Sequence, residues 1–277
     1  MAKAIGLIGN FKGKVGNMVG YQIPDSNTGN TQGIRIYQPV VKNPKTSAQA
    51  EQRAKLAPIN ATYRALKSII DRGNEGLPYG NKSRLAWLKQ AFHAESMPWI
   101  EKGQVVGAVV GCQLSKGSLP NVSFTVGEDT FDIECASMTS ATSIATVGAL
   151  STALKTDYPF LKDGDQVTIV MGITMGSTFG AKVVSILIDT TSAEAISGFI
   201  AATGKITLNP ENFAGWGSVI ISREGESGQH LRSTSSIVIE STAAAAAPYD
   251  AASKTAAVAS YMASAAGSTD WAEESIQ

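Results

Sequence analysis

The sequence predicts an α+β fold in which an N-terminal β-hairpin and a short helical segment precede a predominantly antiparallel β-sandwich or barrel, with an alanine-rich C-terminal helix. Three observations predict it. Turn formers separate two β-like stretches near the N-terminus, strong helix formers follow Thr46, and β-branched runs separated by Gly, Pro, Asn and Asp occupy residues 98–242. We therefore divide the chain into residues 1–45, 46–97, 98–242 and 243–277, and its 277 residues can bury a substantial core.

The hairpin is predicted from two stretches with β character, Lys14 to Ile23 and Gly33 to Val41. Between them lies PDSNTGNT, which is dense in residues that favour turns. We expect a hairpin with a long exposed loop.

The helical segment begins with a capping signal, because Thr46 is followed three residues later by Gln49. Pro58 is expected to end this helix or to open a second one that runs to Arg72. The buried stripe of the second helix is predicted to be Ile59, Tyr63, Leu66 and Ile70. A third helix is predicted over Ser83 to Glu95, with a buried face of Leu85, Leu88 and Phe92.

Eight short β-branched runs follow, and their spacing favours an antiparallel sandwich or barrel. Only SAEAISGFIAA, residues 192–202, resembles a helix within this region. In the tail, a helix is predicted from Pro248 to Gly267. Its weak apolar face indicates docking against another element rather than independent stability.

Charge is divided unevenly along the chain although the formal net charge is zero. Residues 1–90 carry 14 Lys and Arg against 4 Asp and Glu, whereas residues 91–277 carry 9 against 19. The first third thus has a balance of +10 and the rest a balance of −10. This division indicates either an anionic partner for the first third or contacts between neighbouring copies.

No catalytic, metal or cofactor motif is complete. GNFKGKVG lacks both the glycine spacing and the Ser or Thr of a phosphate-binding loop. The only histidines are His93 and His230, and Cys112 and Cys135 are interpreted as small buried apolar groups. The DGD stretch at 163–165 is interpreted as a turn before a strand rather than a calcium loop. We therefore predict a non-enzymatic protein without metal or cofactor.

No stretch has the composition of a signal peptide or the length of an apolar membrane span. The expectation is a cytoplasmic or virion protein with no membrane span.

Several stretches together resemble an uncharacterised family of Bacteroidetes and phage-associated proteins. They are GNFKGKVGNMVGYQI, GIRIYQPVVKNPKTSAQAEQRAKLAPI, LSKGSLPNVSF, LKDGDQVTIV and SVIISREGESGQHLRSTSSIVI. The resemblance spans most of residues 5 to 240, with VKNPKTSAQAEQR as its most specific portion, and it stops near Ser241. It implies a basic hairpin, an NPKT-type helix start, a β-rich C-terminal part and a phage or mobile-element setting, but no activity.

Three functions remain open. The first is a structural or assembly protein, a phage-like virion component that self-associates and whose basic third contacts DNA, RNA or neighbouring subunits. The second is a cellular, sequence-nonspecific nucleic-acid-binding protein. The third is a glycan- or surface-binding β-sandwich, indicated only by Trp216 and Tyr158.

For the first two functions, cations would neutralise phosphates and aromatic rings would stack on bases. A solvated surface without a partner is an equally simple interpretation. The candidate residues are the cations Lys12, Lys14, Arg35, Lys42, Lys45, Arg53, Lys55, Arg64 and Lys67 and the aromatic residues Phe11, Tyr21 and Tyr37.

Overall fold

A computed structural model describes residues 13–25, 29–37, 46–94, 96–104, 107–139, 142–175, 178–225 and 230–266. The chain divides into two compact units, residues 1–45 and 46–277. Helices and mostly antiparallel sheets make up the described residues, so the predicted α+β class is confirmed. The further division of the second unit at residues 97 and 242 stays a prediction.

The first unit contains, within its described residues, a three-stranded antiparallel sheet in the order β1-β2-β3. Its strands are β1 (Gly13–Val15), β2 (Met18–Asp25) and β3 (Gly29–Ile36). The turn between β1 and β2 places Gly16 at φ +57°, in the left-handed region that favours glycine. The hairpin is confirmed, but β2 and β3 extend into the predicted loop, and the predicted strand residues after Tyr37 lie outside the described ranges.

The second unit begins with α1 (Ser47–Ala65) and α2 (Lys67–Ile70). The Gln49 N–H donates to Thr46 Oγ1 at 3.3 Å, so the predicted cap is confirmed. The predicted break at Pro58 is wrong, because α1 continues through it and ends only before Leu66, whose φ of −115° departs from helical geometry. Pro58 lacks the backbone N–H that would continue the helical hydrogen bonds. Its ring is buried, however, and the neighbouring residues of the apolar stripe pack into the core and stabilise the helix.

The third helix, α3 (Asn81–Ala91), buries a different face from the one predicted. Leu85 is 53% exposed, whereas Trp87 is buried. Trp87 lies about 200° around the helix from Leu85 and offers a larger apolar surface, so its burial sets the orientation of the helix. Leu88 and Phe92 are partly buried against the same core.

The remaining strands of the second unit form two larger sheets and a short ribbon. They are β4 (Gln113–Ser115), β5 (Phe124–Val126), β6 (Phe131–Glu134), β7 (Thr142–Ser143), β8 (Gln166–Met175), β9 (Thr178–Leu187), β10 (Phe199–Ala202), β11 (Lys205–Leu208), β12 (Phe213–Glu224), β13 (His230–Arg232), β14 (Ser235–Ser236) and β15 (Val238–Ile239). Among the described strands, one sheet has the order β5-β6-β11-β10-β7 and the other β13-β12-β8-β9, with β15 beside β12 and β4 paired with β14.

The helix α4 (Val147–Asp157) was not predicted, and the helix predicted at residues 192–202 is wrong. In α4, Leu150 and Leu154 recur at helical spacing and are buried, and alanines that favour helix precede both of them. Residues 192–202 contain Gly198 at φ +85° and end in β10, which pairs with β7 and β11. Sheet pairing on both sides of β10 outweighs the helix propensity of its alanines.

The sheet β13-β12-β8-β9 separates two hydrophobic cores. Ile169 and Val219 pack toward the other large sheet and α4, whereas Val170 and Ile220 pack toward Trp87 and the helices. This alternation along β8 and β12 makes the sheet the middle layer of the second unit. Cys112 and Cys135 are free and buried, as predicted.

The chain ends in α5 (Ala243–Ala246), a 3-10 turn at Ala247–Tyr249 and α6 (Ala251–Ala266). α6 packs against α1, with Lys254 Nζ 2.9 Å from Glu51 Oε1. Within the described ranges no helix combines the length and apolar character that crossing a bilayer requires.

Candidate nucleic-acid interface

One face of the hairpin sheet gathers the predicted basic and aromatic residues of the first unit. Residues paired across antiparallel strands lie on the same face of a sheet. Lys14 pairs with Val19, Val19 pairs with Arg35, and Tyr21 pairs with Gly33, two positions further along both strands. We call this surface the cationic face and define it as Lys14, Val19, Tyr21, Arg35 and Tyr37.

Contacts within the cationic face hold its cations beside its rings. Lys14 Nζ lies 3.6 Å from the centre of the Tyr37 ring, which is a cation–π contact. The Tyr21 ring covers Gly33 so closely that a Cβ built at this position would lie 2.6 Å from Tyr21 Cζ. Val19, Tyr21 and Arg35 line a shallow depression. The face therefore offers positive charge and aromatic surface within one contiguous area.

The opposite face of the same sheet is apolar at its described positions. Val15, Met18 and Ile36 are 58%, 40% and 77% exposed, and Ile34 is partly exposed beside them. We call Val15, Met18, Gly20, Ile34 and Ile36 the uncharged face. The sheet thus separates charge from apolar surface, which the alternating sequence of β3 produces directly.

The candidate residues of the second unit do not form one surface. Arg53 and Arg64 are eleven residues apart, close to three full turns, and lie on the same side of α1. Lys55 lies on another side and pairs weakly with Glu51, with 3.8 Å between Nζ and Oε1. Lys67 in α2 lines a depression together with Arg64 and Arg72. The expected single face of hairpin and helix therefore stays a prediction.

Four candidate residues of the first unit lie outside the part of the chain that the structure describes. Phe11, Lys12, Lys42 and Lys45 fall outside the described residues. Two contributors were missed from the sequence. Val19 could have been found from strand alternation and Arg72 from helical periodicity, because Arg64, Lys67 and Arg72 recur at the spacing of one helix face.

The cysteines do not provide a reactive thiolate at neutral pH. Burial raises the pKa of the Cys112 thiol to about 12. Burial, followed by the nearby Asp157 carboxylate, raises the pKa of Cys135 to about 11. In the described part of the chain, no group of three or more His, Cys, Asp and Glu could hold a metal ion. The absence of catalysis stays a prediction.

The sequence features that indicated a glycan-binding surface do not form one. Trp216 is 2% exposed and lies in the core between the middle sheet and the helices. Tyr158 is partly buried, and its hydroxyl donates to the Glu134 carbonyl at 2.7 Å. Neither ring is presented as an open stacking platform for a sugar.

Comparison of the chain with models of known protein families, with curated proteins and with solved structures gives no match. The resemblance to phage-associated proteins therefore stays a prediction.

Proposed function

We propose that this is a non-enzymatic assembly protein that contacts nucleic acid through the cationic face of its hairpin sheet. The observation that carries the proposal is the placement of Lys14, Tyr21, Arg35 and Tyr37 on one face, with the Lys14 ammonium 3.6 Å from the Tyr37 ring centre. The expected phage-like particle setting comes from the sequence resemblance alone.

The chemistry of this face suits a single strand better than a duplex. Cations that track the phosphates and rings that stack on bases are the two elements of sequence-tolerant single-strand binding. A duplex hides the faces of its bases, so Tyr21 and Tyr37 would contribute little to it. We expect tighter binding of single-stranded than of duplex DNA, with little dependence on sequence.

Self-association is supported by the uncharged face. Val15, Met18 and Ile36 are exposed side by side on a small sheet, and such apolar surface favours contact with another protein surface. A sheet that binds a nucleic-acid strand on one face and a second protein surface on the other could link subunits to nucleic acid in a larger assembly. The basic residues could instead face the acidic part of a neighbouring copy, since residues 91–277 carry an excess of ten acids.

Fluorescence anisotropy with labelled oligonucleotides and the full-length chain tests the proposal. In the double variant Lys14→Gln/Arg35→Gln, we expect weaker binding of single-stranded DNA. The slope of log affinity against log salt should fall by about 1.4, because each phosphate contact contributes about 0.7. Tyr37→Ala should weaken binding by about tenfold with little change in slope, since stacking releases no counterions.

The matched control is Lys89→Gln/Lys182→Gln, which removes the same charge from exposed positions of the second unit. It should leave affinity nearly unchanged. No detectable binding of either DNA form at about 50 mM salt would overturn nucleic-acid binding and favour contact with an acidic neighbour. Equal losses in both double variants would show a response to net charge rather than a site on the hairpin.

A further inference from the structure

Glu75 fastens the surface loop between α2 and α3 onto β13. Its Oε2 accepts hydrogen bonds from the Ser118 and Arg232 backbone N–H groups at 2.9 and 3.0 Å, and its Oε1 accepts from Ser118 Oγ at 3.0 Å. Burial alone would raise the pKa of Glu75, but these hydrogen bonds hold it below its ordinary value. The ionised carboxylate therefore fixes residues 72–79 beside residues 230–232.

This anchoring brings together four side chains that are remote in sequence. Arg72 Cζ lies 5.7 Å from the centre of the Tyr79 ring, and the His230 ring centre lies 5.7 Å from the same ring. The Tyr79 side chain also interacts with the Arg232 guanidinium. We call Arg72, Tyr79, His230 and Arg232 the arginine–tyrosine cluster.

The cluster holds two arginines close together without a carboxylate partner. Neither Arg72 nor Arg232 forms an ion pair with any described residue. Burial lowers the pKa of Arg232, the Tyr79 side chain opposes this shift, and the proximity of Arg72 adds a smaller lowering. By contrast, Arg223 on the adjacent strand is paired with Asp165 at 2.6 Å.

Three acids adjoin the cluster in sequence or in strand register, and none of them forms an ion pair with either arginine. Both oxygens of Glu75 are engaged by Ser118 and the Arg232 backbone rather than by a guanidinium. Glu224 stands opposite His230 in the β12–β13 register, but it forms no ion pair among the described residues. The Asp71 carboxylate accepts a hydrogen bond from the Tyr63 hydroxyl. Apart from the contact of Arg232 with Tyr79, neither guanidinium has an acidic partner among the described residues.

We propose that the arginine–tyrosine cluster binds a phosphate group. Guanidinium groups match the geometry of phosphate oxygens, and a phosphate between Arg72 and Arg232 would compensate both charges. His230 is exposed and can donate a further hydrogen bond, and Tyr79, which is 50% exposed, offers a ring beside the anion. Free phosphate compounds and the phosphodiester of a nucleic acid share this chemistry. The site does not depend on the proposed role of the hairpin.

Isothermal titration calorimetry of the full-length chain with inorganic phosphate, pyrophosphate and an eight-nucleotide DNA strand tests this site. We expect pyrophosphate to bind more tightly than phosphate because it carries more charge. Arg72→Gln and Arg232→Gln should each weaken binding by about tenfold or more, since a charge-assisted hydrogen bond is lost. Glu224→Gln should strengthen binding, because it removes the acid opposite His230.

Lys182→Gln is the matched control, because Lys182 is exposed on β9, the edge strand farthest from β13 in the same sheet. It should leave phosphate affinity unchanged, and so should Lys14→Gln/Arg35→Gln, which separates this site from the hairpin. Loss of oligonucleotide binding when Arg72→Gln is added to Lys14→Gln/Arg35→Gln assigns the phosphate to a nucleic acid, whereas loss of pyrophosphate binding alone assigns it to a small ligand.

Both outcomes support a phosphate site. If Arg232→Gln fails to fold, the exposed Arg72 decides the test. Absence of pyrophosphate binding at about 10 mM, or equal affinity of Arg72→Gln and the unaltered chain, would overturn the proposal.

Discussion

Asp165, immediately before β8, is 1% exposed at its side chain and forms an ion pair with Arg223 of β12. Arg223 donates to it twice, from Nε to Oδ1 at 2.6 Å and from Nη2 to Oδ2 at 2.7 Å. The Lys162 backbone N–H donates to Oδ2 at 2.8 Å. The turn at residues 163–165 was predicted from DGD, but its partner lies 58 residues later, and no local pattern indicates such a pair.

Breaking this pair should destabilise the fold strongly. Asp165→Ala leaves the Arg223 guanidinium, only 20% exposed, without its counter-charge, so we expect a loss of about 3–5 kcal/mol in the free energy of unfolding. The double variant Asp165→Leu/Arg223→Met should lose less than Asp165→Ala alone. Urea denaturation measures both, and a loss under about 1 kcal/mol for Asp165→Ala would show that water compensates the arginine.

At the scale of elements, the positions of helix ends were the least predictable feature. The cap at Thr46 was read correctly because it depends on local chemistry, the hydroxyl and one backbone N–H. Pro58 misled the prediction because its local cost is outweighed by the packing of Ile59 and Leu66, which is a tertiary effect. α4 was missed although its signals are local: Thr146 caps it by accepting from the Ala149 N–H, and Leu150 and Leu154 recur at helical spacing.

Because α1 continues through Pro58, we expect that removing this proline has a small effect on stability and that adding another proline to the helix has a large one. Pro58→Ala should change the free energy of unfolding by less than about 1 kcal/mol. The restored backbone hydrogen bond to Ala54 is offset by lost ring packing, at about 0.8 kcal/mol per buried CH₂, and by a freer unfolded chain. Ala61→Pro, within the same helix, should cost about 3 kcal/mol. Far-ultraviolet circular dichroism with urea denaturation measures both changes.

The comparison is informative because the two variants move proline in opposite directions within one helix. A gain of a full turn of helical signal in Pro58→Ala would show that the helix is interrupted at Pro58 after all.

At the scale of the whole molecule, composition sufficed for the fold class but not for the assembly of the second unit. The order of strands in the two large sheets depends on contacts between distant runs, such as β6 with β11, and periodicity within a run does not contain this information. Strand alternation places Arg35 and Tyr37 on one face, but the turn between β1 and β2 decides that Lys14 joins them. The arginine–tyrosine cluster could not be predicted, because Glu75 joins residues that are more than 150 positions apart.

The tail was predicted to dock against another element, and its helix α6 packs on α1 within the second unit. Ala257 is buried, Lys254 reaches both Glu51 and the Trp99 ring, and Ser260 Oγ accepts from the Lys102 N–H at 2.8 Å. Truncation after Asp250 should therefore lower the thermal midpoint by about 2–8 °C, which corresponds to about 1–3 kcal/mol.

Differential scanning fluorimetry measures this midpoint, and sedimentation of the same samples reports whether the tail also supports self-association. Met262→Ser is the control, because Met262 is 42% exposed on α6 and should matter little. An unchanged midpoint after truncation would mean that α6 adds nothing to the unit.

The two-residue turn at Gly16 and Asn17 decides which side of the hairpin carries Lys14. With Val15 opposite Met18, Lys14 stands opposite Val19 and shares a side with Arg35. Loss of one residue from this turn would shift β1 by one position and send the lysine to the other side, whereas loss of two would restore it. The side of the sheet on which Lys14 lies therefore alternates with each residue added to or removed from this turn. Related chains that keep its function should differ in length here only by even numbers of residues.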